Sequence, residues 1–142
     1  MAESASRGHA LRLLAGGAVG GVLAWVVCLV VFGLAMGAPA MPWVILGGVT
    51  TLVFFAAGQA VQVLTAEAAT TVALAAALGS YLIRAAGVAV VLIVAQPFAA
   101  DAANPVLVPT MIAVVVGWLA AEIWTFTRLR VMVFDPPAEG GS

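Results

Sequence analysis

Charge is what this sequence has least of: Asp, Glu, Lys and Arg together make up 8% of it, and all five cations are arginine. A net charge of −1 and a pI near 5.6 leave no basic footprint for nucleic acid. There is one histidine and one cysteine. With no paired carboxylates beside them, the chain offers no metal-ligand spacing and no acid–base or nucleophile constellation. The glycine-rich GGAVGG at 16–21 follows no strand, so it does not read as a phosphate loop. These absences predict a protein that is not an enzyme and holds no cofactor and no metal. Cys28, alone in an apolar stretch, has no internal disulfide partner and reports nothing on redox compartment.

What fills the chain instead is apolar: 65% hydrophobic residues and a mean hydropathy of +1.22 describe a protein whose solvent is the lipid bilayer. No formal charge occurs from Leu13 to Ala66, nor again from Ala102 to Ala121. Several stretches therefore reach the roughly 20 residues that a spanning helix needs. The first runs from Leu13 to about Met36, after a short polar tail carrying Arg7 and Arg12. Its 24 apolar residues exceed the roughly 7–15 of a signal-peptide core, so it reads as a retained helix. Gly16, Gly17, Gly20 and Gly21 form overlapping small-xxx-small pairs, which let a neighbouring backbone approach closely. Packing within the chain is the simpler use of that face, and a seam for a partner is the other.

Two prolines in four residues make Gly37 to Pro42 a turn. A second helix follows from Trp43, an interfacial aromatic, to about Leu64. Near its end Gln59 and Gln62 lie three apart and share a face. Pro97 and Pro105 bracket a second turn, and a fourth helix closes in a polar and aromatic rim containing Glu122, Trp124, Arg128 and Arg130. The tail Asp135 to Ser142, DPPAEGGS, reads as disordered.

The third helix carries the main anomaly, Arg84, set inside LGSYLIRAAGVAVVLIVAQP. An arginine at mid-membrane costs about 2.5–3.5 kcal/mol even on the lenient insertion scale and cannot shed its proton. Counting back from Pro97 puts it about 9 Å below the inner edge. Ser80, Arg84, Gly87 and Val91 follow one face, which joins the charge to small residues and a neighbouring helix. Glu122 is the one acid at comparable depth, so Arg84, Glu122, Gln59 and Gln62 form the expected intramembrane polar cluster. A coupled Arg84–Glu122 pair would make the two alanine substitutions cost less together than their sum. Snorkelling of Arg84 to headgroups is the rival.

Arg7, Arg12, Arg128 and Arg130 flank the first and fourth helices, while the two turns on the other side have no arginine. The positive-inside rule then puts both termini in the cytoplasm. The expected fold is an all-α integral membrane protein with four transmembrane helices as two helical hairpins. It comprises one domain, 1–136, with helices at about 13–36, 43–64, 70–96 and 106–127, and a disordered tail at 137–142.

Transport precedents fit poorly. A duplicated rotary-ATPase proteolipid would hold its acid nearer the membrane centre than Glu122, and a small multidrug exporter would hold one in its first helix. FAAGQAVQV closing the second helix, LGSYLIRAAGVAVVLIV opening the third and GWLAAEIWTFTRLRV closing the fourth resemble ATP synthase protein I, particularly its actinobacterial forms, over about Leu11 to Pro136. That family often carries Gly-Glu-x-x-Lys at the start of its third helix. Here Gly79-Ser80-Tyr81-Leu82-Ile83-Arg84 keeps the glycine and, one place later, a base. The acid is absent from that helix, leaving Glu122 to supply one from across the bundle.

The resemblance implies a non-catalytic helper of the F-type ATP synthase in a bacterial cell membrane. Its partners would be the membrane subunits of that enzyme, above all the rotor-ring subunit whose insertion or oligomerisation it would aid. The family has also been suggested to transport magnesium, which makes a small magnesium transporter or channel the alternative. One acid opposed by an arginine is a poor site for a hard cation that wants several oxygens. A purely structural membrane protein is the third reading.

Overall fold

The computed structural model describes residues 2–66, 68–95, 97 and 104–128. Four helices make up nearly all of them: α1 (Ala2–Met36), α2 (Met41–Thr65), α3 (Thr70–Ala95) and α4 (Asn104–Arg128). Each contains a stretch long and apolar enough to cross a membrane, from Arg7 in α1 to Arg128 in α4. The protein is thus an all-helical, multi-pass membrane protein by the length and composition of its helices. The expected tail at 137–142, together with Asp101, Arg130 and Asp135, lies outside the described residues.

Helix limits follow local chemistry. The polar tail expected before Leu13 is helical from Ala2, because nothing in it breaks a helix and its Ala, Arg and Leu favour one. Gly37 ends α1 at a φ of 75°, a left-handed conformation that favours glycine, and its N–H donates to the carbonyl of Gly33 at 3.1 Å. A 3-10 turn over Ala38–Ala40 then leads directly into α2, with Pro42 in its first turn. Helix α3 takes in the modestly apolar segment from Thr70, and four residues, 66–69, connect it to α2. In α4 Pro105 sits in the first turn, where a missing N–H costs least, whereas Pro109 lies inside the helix and leaves the Pro105 carbonyl without its intrahelical donor.

Helix α2 is central and touches the other three, whereas α3 leans almost wholly on α2 and α1 chiefly on α4. Glycines set the closest approaches. Gly16 meets Thr125, Gly17 and Gly21 meet Trp118, and Gly20 meets Gly117 and Ala121, so α1 and α4 run antiparallel along the glycine face. A Cβ at Gly17 would lie 2.5 Å from the Trp118 Nε1 atom. Trp25 lies over Gly48 of α2 and donates its indole N–H to the Val44 carbonyl at 3.0 Å. Phe54 of α2 covers Gly87 of α3.

The buried apolar residues gather in two places. Cys28, Ala40, Val44 and Val106 join α1, α2 and α4. Ala95, Leu107 and Met111 join α3 and α4 near their connection. Beyond that second cluster the backbones of α3 and α4 do not approach closely, and a furrow opens between them towards the bilayer. The outward faces, Leu23, Val27, Leu34, Leu82 and Ile93 among them, are exposed as a lipid-facing surface should be.

Candidate functional site

The end of α2, the middle of α3 and the end of α4 bring the expected polar residues together, though not in the expected pairs. On α2, Phe55, Gly58, Gln59 and Gln62 follow one another at helical three- and four-residue spacing and so share a face. Gln59, 2% exposed, donates from Nε2 to Glu122 Oε1 of α4. Gln62 donates from Nε2 to Ser80 Oγ of α3 at 2.7 Å, and Ser80 in turn donates to the Ala77 carbonyl at 2.9 Å.

Arg84 is 4% exposed and lies within two residues of the middle of α3. Its guanidinium stacks on aromatics, 5.0 Å from the Phe55 ring centre and 5.4 Å from that of Tyr81. Nε and Nη2 are buried and have no hydrogen-bond partner. No ion pair to Glu122 forms, because α2 stands between them: Arg84 lies across Gly58 while Glu122 reaches the next residue, Gln59. Gly58 makes that arrangement possible, since a Cβ there would sit 2.5 Å from Arg84 Nε and 3.1 Å from the Ser80 carbonyl oxygen.

The face expected on α3 faces α2 as an element: Ser80, Arg84 and Gly87 are all buried. Gly16, Gly17, Gly20 and Gly21 are occupied by α4 and α2 of the same chain, which leaves no open glycine seam. Phe55, Gly58 and Tyr81 complete the site beside the residues expected from the sequence. Phe55 and Gly58 were legible as the apolar and small members of the glutamine face. Tyr81, 60% exposed, carried no periodic signal.

Arg84 and Tyr81 sit at one end of the widest part of the furrow, a hollow of about 480 Å³. Phe55 forms its floor, and Ala85, Val88, Leu92, Val115 and Leu119 line its walls. A narrower hollow continues it along Val108, Ile112 and Val116. A third adjoins it across Tyr81 and Leu119 and holds Glu122 and Phe126. Among the described residues no three His, Cys, Asp or Glu side chains come together as metal ligands would. The arrangement therefore offers one uncompensated cation in an apolar, membrane-facing cleft. Family models, curated proteins and solved structures yield no match to this chain.

Proposed function

We propose that this chain is a non-catalytic accessory protein of the F-type ATP synthase, resident in a bacterial cell membrane, that aids insertion or oligomerisation of the rotor-ring subunit. The observation that carries the reading is the membrane-facing furrow between α3 and α4 with Arg84 unpaired inside it. Such a cleft receives an apolar segment and offers it one polar contact, which suits reversible escort of a hydrophobic hairpin. The resemblance of its second, third and fourth helices to ATP synthase protein I supplies the identity of the escorted subunit. The magnesium-transport alternative has less to stand on, since Glu122 is already engaged by Gln59.

In this reading the chain lies in the membrane as two hairpins, α1–α2 and α3–α4, with both termini cytoplasmic. Ala38 is exposed between α1 and α2, whereas Ala40 is buried and unsuited to labelling. A cysteine at Ala38 reacts with an impermeant thiol reagent in intact cells, and one at Gly8 does not. Reaction at Gly8 alone inverts the topology.

Deleting the protein lowers the amount of intact rotor ring, or slows its formation, while the ATP synthase that does assemble turns over at the normal rate. Pulse-labelling and native gels of the membrane fraction measure both. Unchanged ring kinetics in the deletion strain, with magnesium uptake by the purified protein in liposomes, would replace the helper with the transporter.

A further inference from the structure

We infer that the open flank of the α1–α4 seam carries, at its Arg12 and Arg128 end, a site for the phosphate of an anionic phospholipid. The contacts between the two helices set the register. Gly20 meets Ala121 and Gly16 meets Thr125, so one turn towards the start of α1 matches one turn towards the end of α4. The next turn brings Arg12 level with Arg128. Helical spacing also puts them on one side. On α1, Gly16 and Gly20 face α4 and Trp25 faces α2, and Arg12 is displaced from the glycine line away from Trp25. On α4, Ala121 and Thr125 face α1 and Glu122 reaches α2, and Trp124 and Arg128 are displaced away from Glu122. Arg12, Trp124 and Arg128 therefore stand together on the flank that α2 leaves uncovered, and each is exposed. That flank faces away from the furrow, so the site stands whether or not the rotor ring is the client.

Charge and surroundings identify the ligand. Arg128 stacks on the Trp124 ring at 4.6 Å, which holds its guanidinium at the flank, and among the described residues no carboxylate pairs with Arg12 or Arg128. Glu122 is engaged by Gln59 on the other side of α4. Two neighbouring guanidinium groups with open donors suit a phosphodiester, whose oxygens accept charge-assisted hydrogen bonds from both. A zwitterionic headgroup brings a cation of its own towards the arginines, so a lipid of net negative charge is favoured. The phosphate belongs to a lipid because these charges border an apolar surface. Arg12 is the last charge before the charge-free run that starts at Leu13, and Arg128 closes the apolar span of α4. Val19 and Leu23 follow Arg12 at helical spacing, are exposed, and offer acyl chains a bed on the same face. Trp124 adds the kind of aromatic that favours the boundary between hydrocarbon and headgroups.

The test is native mass spectrometry of the full-length protein in detergent micelles doped with equal amounts of phosphatidylglycerol and phosphatidylcholine of matched chains. Phosphatidylglycerol is the first lipid bound, by about tenfold over phosphatidylcholine, a preference equivalent to about 1.4 kcal/mol. Arg12→Gln and Arg128→Gln each lower that ratio about threefold, and together they remove it. Arg7→Gln is an equal loss of charge on the Trp25 face of the same helix, and it leaves the ratio unchanged. All three positions are exposed, so the variants keep the SDS unfolding profile of the unaltered protein. Equal binding of the two lipids by the unaltered protein overturns the proposal, and that comparison needs no variant. A fall in Arg7→Gln as large as in Arg12→Gln also overturns it, since the lipid then answers to net charge and not to a site. Displacement of the bound lipid by glycerophosphoglycerol, the headgroup without its chains, overturns it in favour of a soluble phosphate.

Discussion

Leucine in place of Gly20 abolishes the packed bundle. In α1 this glycine lies against the Gly117 carbonyl and the Ala121 Cβ of α4, so an added side chain meets backbone that cannot rotate aside. Overpacking of a core by a few methylenes costs about 1–3 kcal/mol, and a clash with backbone along a helix seam exceeds that range. The expected loss is therefore more than about 3 kcal/mol, read as a shift in SDS-induced unfolding followed by tryptophan fluorescence, with Trp118 on the same seam as reporter. Gly79 supplies the control within the same chain. A Cβ there meets nothing within 4 Å, so Gly79→Leu leaves stability unchanged or raises it by under about 1 kcal/mol through helix propensity. A Gly20→Leu protein as stable as the unaltered one would mean that α1 and α4 do not meet along the glycine face.

Replacing Arg84 with methionine stabilises the isolated protein. The guanidinium is buried without an anion, and exchange of buried ionic groups for apolar side chains of similar volume often gains about 1–4 kcal/mol. Methionine keeps the unbranched stem that lies along Gly58 and Phe55, so little space is left empty. The stacking on Phe55 and Tyr81 is lost, which returns about 0.5–2 kcal/mol of that gain. A net increase of about 1 kcal/mol or more remains, against the same SDS titration. This reverses the expectation raised by an Arg84–Glu122 pair, in which removing either partner weakens the fold. Stability given up at one residue is what a binding site costs the free protein.

Much of the fold was legible because the bilayer imposes strong and simple constraints. Long charge-free runs and paired prolines located four helices, and the glycines at 16–21 announced a close approach. Their partner was not legible, because a small-residue stripe says that something comes near and not what it is. Contacts such as those of Gly17 with Trp118 and of Gly20 with Gly117 show that α4 fills it. The start of α1 was misjudged for a different reason: polarity marks the membrane's edge and not the helix's end, so residues from Ala2 onwards continue the helix.

The polar site was half legible. Arg84, Glu122, Gln59 and Gln62 stood out as polar groups in apolar surroundings, and the structure places them on three adjoining helices. Their pairing depended on rotation about α2, which no single-helix pattern reports. With α2 turned so that Gly58 faces α3 and Gln59 faces α4, the glutamine reaches Glu122 and the arginine is left with aromatics alone. The furrow itself was invisible in sequence. It arises because α3 leans mainly on α2 and meets α4 closely only near their connection, a choice made by Gly58 and Gly87 admitting Arg84 and Phe54 from across the α2–α3 interface.

The amount of assembled rotor ring in a deletion strain that carries the Arg84→Met chain tests the central claim most directly. The account predicts that the variant accumulates in the membrane at least as well as the unaltered protein and yet leaves ring formation at the level of the deletion. Full restoration of ring formation by that variant would contradict it, since the cleft would then serve its partner without its arginine.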